Sequence, residues 1–594
     1  MQIISTLSLL IVPMKKLFFD KYLITAIFLP LFAFSQIISP KQYYTTEISP
    51  ENSPKVDGLV DDSIWDLVEW GADFVEVNPD ENTPPTEQTK FKILYDQKHL
   101  YIAILALDSA PETITKRLSR RDGFEGDRVN ILIDSYHDLR TAFLFTVTAA
   151  GVRGDELITE NGQDIDDSWN PIWSNKAQII SKGWSAELKI PLSQLRFGDD
   201  QEQIWGLNVT RNLFRENELS AWDRIPVGSA GWVSEAGELI GIKNIKPQKQ
   251  LEIQPFTVAQ LQTYEAEQGN PYRDGRDYRI NAGLDAKIGV TNDLTLDITV
   301  NPDFGQVEAD PAAIALDGFE VFNREQRPFF VENKNIFDYR FAGNRDNLFF
   351  SRRIGRSPQV YPSTPSGSYT DRPQNTTILG ATKFSGKTKN GWSIGVLESM
   401  TSKEYIEINS NGTISEAEAE PFTNYFVGRV QKDMNKRNTF LGGMFTATNR
   451  SISEATSGLR KSAYSGGVDF KHQWKNRAYY VQTNFVMSHV NGSPEAIQST
   501  QENLIHLFNR VDATHLEVDP SRTSLTGTGG LFEIGKVGGK NWNYDTGFKW
   551  SSPELELNDI GFLRRADQKF QFFNVRYNIA KPVSVFRDLS LRFN

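Results

Sequence analysis

Residues 281–300 read NAGLDAKIGVTNDLTLDITV. In the first half of this stretch Leu284, Ala286, Ile288 and Val290 share one face, with Asp285 and Lys287 opposite. In the second half Leu294, Leu296, Ile298 and Val300 stand against Thr295, Asp297 and Thr299. Successive side chains of a strand point to opposite faces, so each half is a strand with one apolar and one polar face. The pattern recurs downstream. In GGVDFKHQW, Val468, Phe470, His472 and Trp474 oppose Asp469, Lys471 and Gln473. In NWNYDTGFKW, Trp542, Tyr544, Phe548 and Trp550 oppose Asn543, Asp545 and Lys549, and Phe573, Val575, Tyr577 and Ile579 repeat the motif.

A period of two fits any half-buried sheet. Strands of about ten residues with a charged face and aromatic ends fit a transmembrane barrel with a wet interior. Connections alternate in length as such a barrel requires. The short turns GKTKNG (386–391), DMNKRN (433–438) and WKNRA (474–478) contrast with long polar loops at 402–424 and 489–524. A soluble sandwich or propeller is the alternative, but blades repeating at roughly 40–50 residues are not found.

The chain has 594 residues, more than the roughly 250–300 of a single core, so further domains are expected. A net charge of −11 argues against nucleic acid as a partner, since phosphates demand a basic surface. There is no Cys, and the six His are scattered, which excludes thiolate metal sites, disulfides and thiol nucleophiles. An aromatic share of 12% beside a mean hydropathy of −0.43 suits β-architecture.

From Met14 the sequence runs MKKLFFDKYLITAIFLPLFAFSQ. Lys15 and Lys16, an apolar run from Tyr22 to Phe34, and small residues at Ala33 and Ser35 form an export signal over 1–35, with the start at Met14 and the cut before Gln36. Beyond residue 36 no apolar stretch of about 18 residues occurs, so membrane embedding must use strands.

Residues 48–245 read as an all-β sandwich of short apolar strands: FKILYDQKHLYIAILALDS (91–109), RVNILIDSYHDLRTAFLFTVTAAG (128–151), GWSAELKIPLSQLRF (183–197) and IWGLNVTRNLF (204–214). Together with VDGLVDDSIW (56–65), these segments resemble carbohydrate-binding module family 9. The resemblance implies a sandwich that holds a sugar between aromatic rings, in some members beside structural calcium. Trp65, Trp173, Trp184 and Trp205 fall in core strands and are expected to be buried. Trp169 in DIDDSWNP, and Trp222 and Trp232 in SAWDRIPVGSAGWVSEAGE, lie in loop-like text and are the expected sugar platforms, since the apolar face of a pyranose packs on indole. Asp164, Asp166 and Asp167 make an oxygen-rich loop whose candidate ion is Ca²⁺; a solvated acidic loop is the alternative.

After KNIKPQKQ (243–250) the barrel is expected over 251–594. The segments NPDFGQVEADP, FFVENKNIF (329–337), LFFSRRIG (348–355) and SPELELNDIGFLRRAD (552–567) resemble the barrel domain of domain-of-unknown-function family 5916. That family joins this barrel to the family-9-like module, and its activity is undefined. About a dozen strands are legible, and the chain stops at LSLRFN in mid-pattern, so the barrel is expected to be incomplete at its C-terminus. Residues at about 301–375 lack clean alternation and are expected to fold into the lumen as a plug. Asp303 then belongs to a turn leaving the wall, and Glu308, Asp310, Glu320, Arg324, Glu325 and Arg327 should pair with the inner wall. No phosphate-binding loop or nucleophile elbow occurs, and no catalytic residue is assigned.

The leading expectation is an outer-membrane β-barrel with a periplasmic sugar module, binding a polysaccharide or oligosaccharide and contacting membrane lipid, in the service of glycan recognition, uptake or catabolism. The alternatives are a hydrolase of O-glycosyl bonds tethered by the module, and a structural envelope protein whose sandwich only docks.

Overall fold

The computed structural model describes residues 39–594 except 168, 199, 247–249, 292, 303–315, 317, 342–344, 389, 540, 580–582 and 587–588. The export-signal stretch 1–35 and the acids Asp303, Glu308 and Asp310 therefore lie outside the described residues.

A nine-stranded and a five-stranded sheet form the N-terminal sandwich. Arg128–Asp134, Ala142–Thr148 and Glu202–Leu213 belong to the larger sheet, and Thr89–Tyr95, His99–Leu107 and Gly183–Pro191 to the smaller. The turn between Tyr95 and His99 is shaped by its own first residue. The Asp96 carboxylate accepts from the backbone N–H groups of Lys98 at 2.6 Å and His99 at 2.7 Å. Phe91, Ile93, Ile102 and Ile104 meet Val129, Ile131, Ile133 and Phe145 in the core. Trp65, Trp173, Trp184 and Trp205 are buried as expected.

Thirteen antiparallel strands, from Leu251–Thr263 to Leu589–Phe593, follow as a continuous up-and-down sheet. These two end strands are not paired to each other among the described residues. The sheet has an exposed apolar face and a buried polar one. Leu441, Phe445, Val468, Phe485, Phe532 and Phe548 are exposed on its outer face. Asp297, Lys383, Arg429, Asp433, Thr446 and Thr448 are buried on its inner face. No helix among the described residues is long and apolar enough to cross a membrane.

The insert fills this wall from inside. Phe329, Phe330, Phe337, Tyr339 and Phe341 share a core with Leu397, Tyr425, Val427, Met444 and Val486 of the strands and with Leu555, Leu557, Ile560 and Leu563. Two wall glycines admit the plug rings: a Cβ on Gly395 would lie 2.8 Å from Phe337, and one on Gly467 would lie 2.7 Å from Tyr339. The Tyr339 hydroxyl donates to Val468 O at 2.6 Å, with Phe485 O 3.0 Å away.

Three expectations are corrected here. Glu320 and Glu325 pair within the plug, with Arg353 and Arg327, because those guanidiniums are buried beside them. The wall is instead gripped by Tyr339 and by Lys383, whose ammonium donates to the carbonyls of Phe329 and Glu332. The loop expected at 402–424 is an ordered hairpin, Glu404–Ser410 with Thr413–Glu420, joined by Tyr369–Asp371. Burial of Ile406, Ile408 and Ala419 explains its order. In the second expected loop, Pro494–Glu502 is a helix capped by the Ser493 hydroxyl, which accepts from Ala496 N.

Candidate functional site

The sandwich and the thirteen-stranded sheet belong to one compact unit, Lys41–Asn594. Their junction is made by the sandwich loop DSYHDLRT, residues 134–141, seated on the short turns of the sheet. Its two aspartates fold it. Asp134 accepts from the N–H groups of Asp138 and Leu139, and Asp138 from those of Arg140 and Thr141. His137 and Leu139 are held in left-handed backbone, φ 48° and 58°, a conformation that residues with a Cβ keep only where fixed partners enforce it. The partners are the turn arginines: Arg437 donates to His137 O at 3.0 Å and Arg477 to Leu139 O at 2.6 Å.

Charge completes the dock. Lys387 lies 2.8 Å from Asp138 of the sandwich and 2.9 Å from Asp433 of the wall. Burial alone would raise the Asp138 carboxyl, but Lys387 and Arg437 outweigh it and hold it at about 2. Burial and the Asp138 charge push the neighbouring Asp134 up, to about 8. Arg140 stacks 3.8 Å from the Phe440 ring centroid and pairs with Glu160, which Lys471 of the wall also meets at 2.9 Å.

Behind this dock lies a chamber of about 660 Å³. The sandwich supplies one side through Tyr136, Phe143, Gln163 and Trp169, the plug a second through Asn335, Tyr339 and Arg340, and the wall a third through Arg429, Gln431, Asp469, Glu533 and Asn574. The volume falls in the roughly 300–1,000 Å³ range of small-molecule sites. Its charges are largely matched in pairs. Arg429 grips Asp469 with two hydrogen bonds, at 2.5 and 2.9 Å, while Tyr480 and Gln482 donate to Glu533. The result is a polar, aromatic-lined space, suited to a neutral hydroxyl-rich ligand.

The expected site residues separate. Trp169 lines the chamber, half-buried, its ring 4.9 Å from Phe143 and 5.6 Å from Phe145. Trp222 does not. It is a core residue, 3% exposed, packed against Phe91 and Tyr43, and offers no face to a ligand. The strand Glu218–Ala221 pulls it inward, where local Gly and Pro suggested a loop. Trp232 packs beside Leu132, Ala142, Ile158 and Val233 and lies outside the chamber.

The acids of the 164–167 loop do not converge on an ion. Asp166 meets Lys334 at 2.6 Å, Asp164 meets Arg340 at 3.8 Å, and Asp167 meets Arg324 at 3.8 Å. Three plug cations take the place expected for Ca²⁺, and no metal-binding acid cluster is found among the described residues. Arg196 extends the same clamp, reaching plug Glu332 at 3.2 Å, where Lys287 of the wall also arrives at 3.0 Å. Sequence reading missed Arg140, Glu160 and Arg196, because nothing local marks a sandwich residue as facing a distant plug.

Residues 247–594 match the model of a domain of unknown function, DUF5916, over more than half of the chain. The chain belongs to the DUF5916 family. In this DUF5916 protein residues 56–221 additionally match the carbohydrate family 9 binding domain-like model. No curated protein matches. Among solved structures, a family 9 carbohydrate-binding module from Caldicellulosiruptor kristjanssonii in complex with cellotriose is 19% identical, covering 34% of this chain and 95% of that one, with a TM-score of 0.25. A putative carbohydrate-binding protein from Bacteroides uniformis is 14% identical over 34% of this chain and all of that one, TM-score 0.29. Pseudomonas aeruginosa OccK8 is 7% identical over 76% of this chain and 79% of that one, TM-score 0.24.

Proposed function

We propose that the chain is an outer-membrane β-barrel protein that binds an oligosaccharide in the chamber between sandwich and plug and serves glycan recognition and uptake. The observation that carries this reading is the union of three parts around one cavity. A sandwich matching a sugar-binding family places an aromatic side chain, Trp169, in a polar space inside a sheet whose outer face is apolar. A row of exposed Leu, Val and Phe over a charged interior is costly in water and favourable in lipid.

That short turns of outer-membrane barrels face the periplasm supports a periplasmic position for the docked sandwich in this reading. An incoming glycan would then meet the plug first and the sandwich last. The reading is of binding rather than hydrolysis. A glycosidase needs two carboxyl groups about 5–9.5 Å apart across its sugar, free to act as acid and base. Of the chamber carboxylates, Glu160, Asp469 and Glu533 are engaged by Arg140 and Lys471, by Arg429, and by Tyr480 and Gln482, Asp164 and Asp338 face Arg340, and Asp545 accepts from the Asn574 amide.

The test is a titration of neutral oligosaccharides, cellotriose first, against the full chain in detergent micelles and against Trp169→Ala. Loss of an aromatic platform is expected to weaken binding about 10-fold or more. Absence of binding to a broad glycan panel by the folded protein would refute the reading and leave the sandwich a docking domain.

A further inference from the structure

The outer face of the sheet changes character along its strands. Ser462–Trp474, Tyr479–Asn491 and Ser524–Lys536 turn Val468, Phe485, Phe532 and Ile534 outward. At the short-turn ends of the same strands, Trp474 stands directly opposite Tyr479, and Tyr479 opposite Lys536. The strand period of two puts all three on the side of Val468, Phe485 and Phe532. The Trp474 and Tyr479 rings stack with centroids 5.8 Å apart. Two ammoniums flank the Tyr479 ring: Lys475 Nζ lies 5.4 Å from its centroid and Lys536 Nζ 5.8 Å. Lys536 also folds toward the turn, where a Cβ on Gly539 would lie 2.9 Å from its Nζ. Farther along the rim, Lys432 stands opposite Trp392 with its Nζ 4.9 Å from that ring, and Trp542 packs on Tyr577 at 4.6 Å.

The charge of this rim is one-sided. Among the described residues, Lys475 and Lys536 face no carboxylate within ion-pair distance and make no side-chain hydrogen bond. On the outward face between mid-strand and short turn there are lysines but no Asp or Glu among the described residues. In a chain of net charge −11 that is a local reversal of sign. A ring face steadies an ammonium without taking its N–H donors, so both lysines keep theirs for an anion. Indole and phenol rings at the edge of an apolar band sit at headgroup depth in a bilayer. A lysine there lays its stem along apolar surface and lifts its ammonium to the headgroups. The anion a bilayer offers at that depth is phosphate.

We propose that the short-turn rim binds an anionic phospholipid, its phosphate held by Lys475 and Lys536 beside Tyr479 and its acyl chains lying over Ile534 and Phe532. The proposal rests on the reading of this sheet as a membrane barrel, and adds to it which lipid is preferred and where it sits. It involves neither the chamber nor Trp169. Lys475 shares its turn with Arg477, which grips the sandwich loop at Leu139, so the lipid would stand beside the dock.

The experiment folds the full chain into phosphatidylcholine vesicles. The protein is then extracted in zwitterionic detergent with equal amounts of phosphatidylglycerol and phosphatidylcholine, and retained lipid is identified by native mass spectrometry. A basic residue near a membrane surface favours anionic lipid by about 5-fold, so the wild type should retain phosphatidylglycerol over phosphatidylcholine by about 5-fold or more. The double variant Lys475→Gln/Lys536→Gln should retain the two lipids equally. Lys569→Gln, on the outward face at the loop end of Gln568–Ile579, should keep the wild-type preference. None of these lysines is buried, so the variants should fold as the wild type does. Equal retention by the wild type, or a preference that survives in the double variant, would overturn the proposal. So would an equal loss in Lys569→Gln, which would mark attraction spread over the whole surface. A chain that fails to insert into phosphatidylcholine would overturn the barrel reading itself, whereas one that inserts without a preference overturns this proposal alone.

Discussion

Replacing Asp138 by Asn tests whether the sandwich is held on the short turns by charge. Asp138 is fully buried, accepts two backbone N–H groups of its own loop, and faces Lys387 at 2.8 Å. The amide keeps the size and one acceptor oxygen but removes the charge. The carboxyl titrates at about 2 in the folded chain against an ordinary 3.8. Held that far below its ordinary range, the carboxylate contributes on the order of 2 kcal/mol of stability at neutral pH. Lys387 keeps Asp433 at 2.9 Å, so it is not orphaned, and Asp134 is relieved of the Asp138 charge, so that figure is an upper bound. Urea unfolding followed by the fluorescence of buried Trp184 and Trp205 is the assay, run on Asp138→Asn, Lys387→Met and the double variant. The expected coupling is about 2 kcal/mol. Because the folded carboxyl is depressed, its contribution is complete above the unfolded value and disappears as pH falls toward about 2. Wild type and Asp138→Asn should therefore converge in acid. A coupling below about 0.5 kcal/mol, or a difference that persists in acid, would refute the electrostatic dock.

Three further outcomes are expected. Phe532→Lys, on the outer face of the sheet where Phe532 is 50% exposed, should cost about 2–4 kcal/mol of folding in lipid vesicles if the residue lies near the bilayer centre. A soluble sheet would tolerate the same change. Trp222→Ala should destabilise the sandwich by about 3–5 kcal/mol through loss of a core ring, seen as a lower unfolding midpoint, and leave glycan affinity of the folded fraction unchanged. Glu332→Gln removes the charge that joins Arg196 of the sandwich, Lys287 of the wall and the plug. These groups are about one-fifth exposed, so the loss should be about 2 kcal/mol, between the surface and buried limits, and plug mobility should appear as increased conductance in planar bilayers.

Much of the fold was written locally. Alternation in segments such as 281–300 fixes which side chains share a face, because the strand period of two admits no other assignment. The same reading put Asp297 and Asp469 inside and Val468 and Phe548 outside, as the structure has them. Local chemistry also reached the short turns, since Asn and Lys there adopt left-handed backbone at Asn435, Lys436, Lys475 and Asn476. It failed where an element is stabilised by partners remote in sequence. The hairpin at 404–420 looked like a polar loop because most of its side chains are polar, and only the burial of Ile406 and Ile408 orders it.

The candidate site shows the division most clearly. Trp169, Trp222 and Trp232 have similar Gly-, Pro- and Ser-rich surroundings, so sequence gave them equal standing. Tertiary packing sent one into the core, one against the sandwich flank and one to the chamber. The acids at 164–167 were legible as a charge cluster, but their counter-charges, Arg324, Lys334 and Arg340, lie more than 150 residues away. Sequence by itself determined a β-sandwich followed by a large sheet and the polarity of that sheet, because each follows from periodicity over a few residues. Only the tertiary structure decided that the sandwich closes the short-turn mouth and encloses a cavity there. That outcome depends on ion pairs such as Asp138–Lys387, separated by 249 residues, whose strength comes from burial that no local pattern encodes.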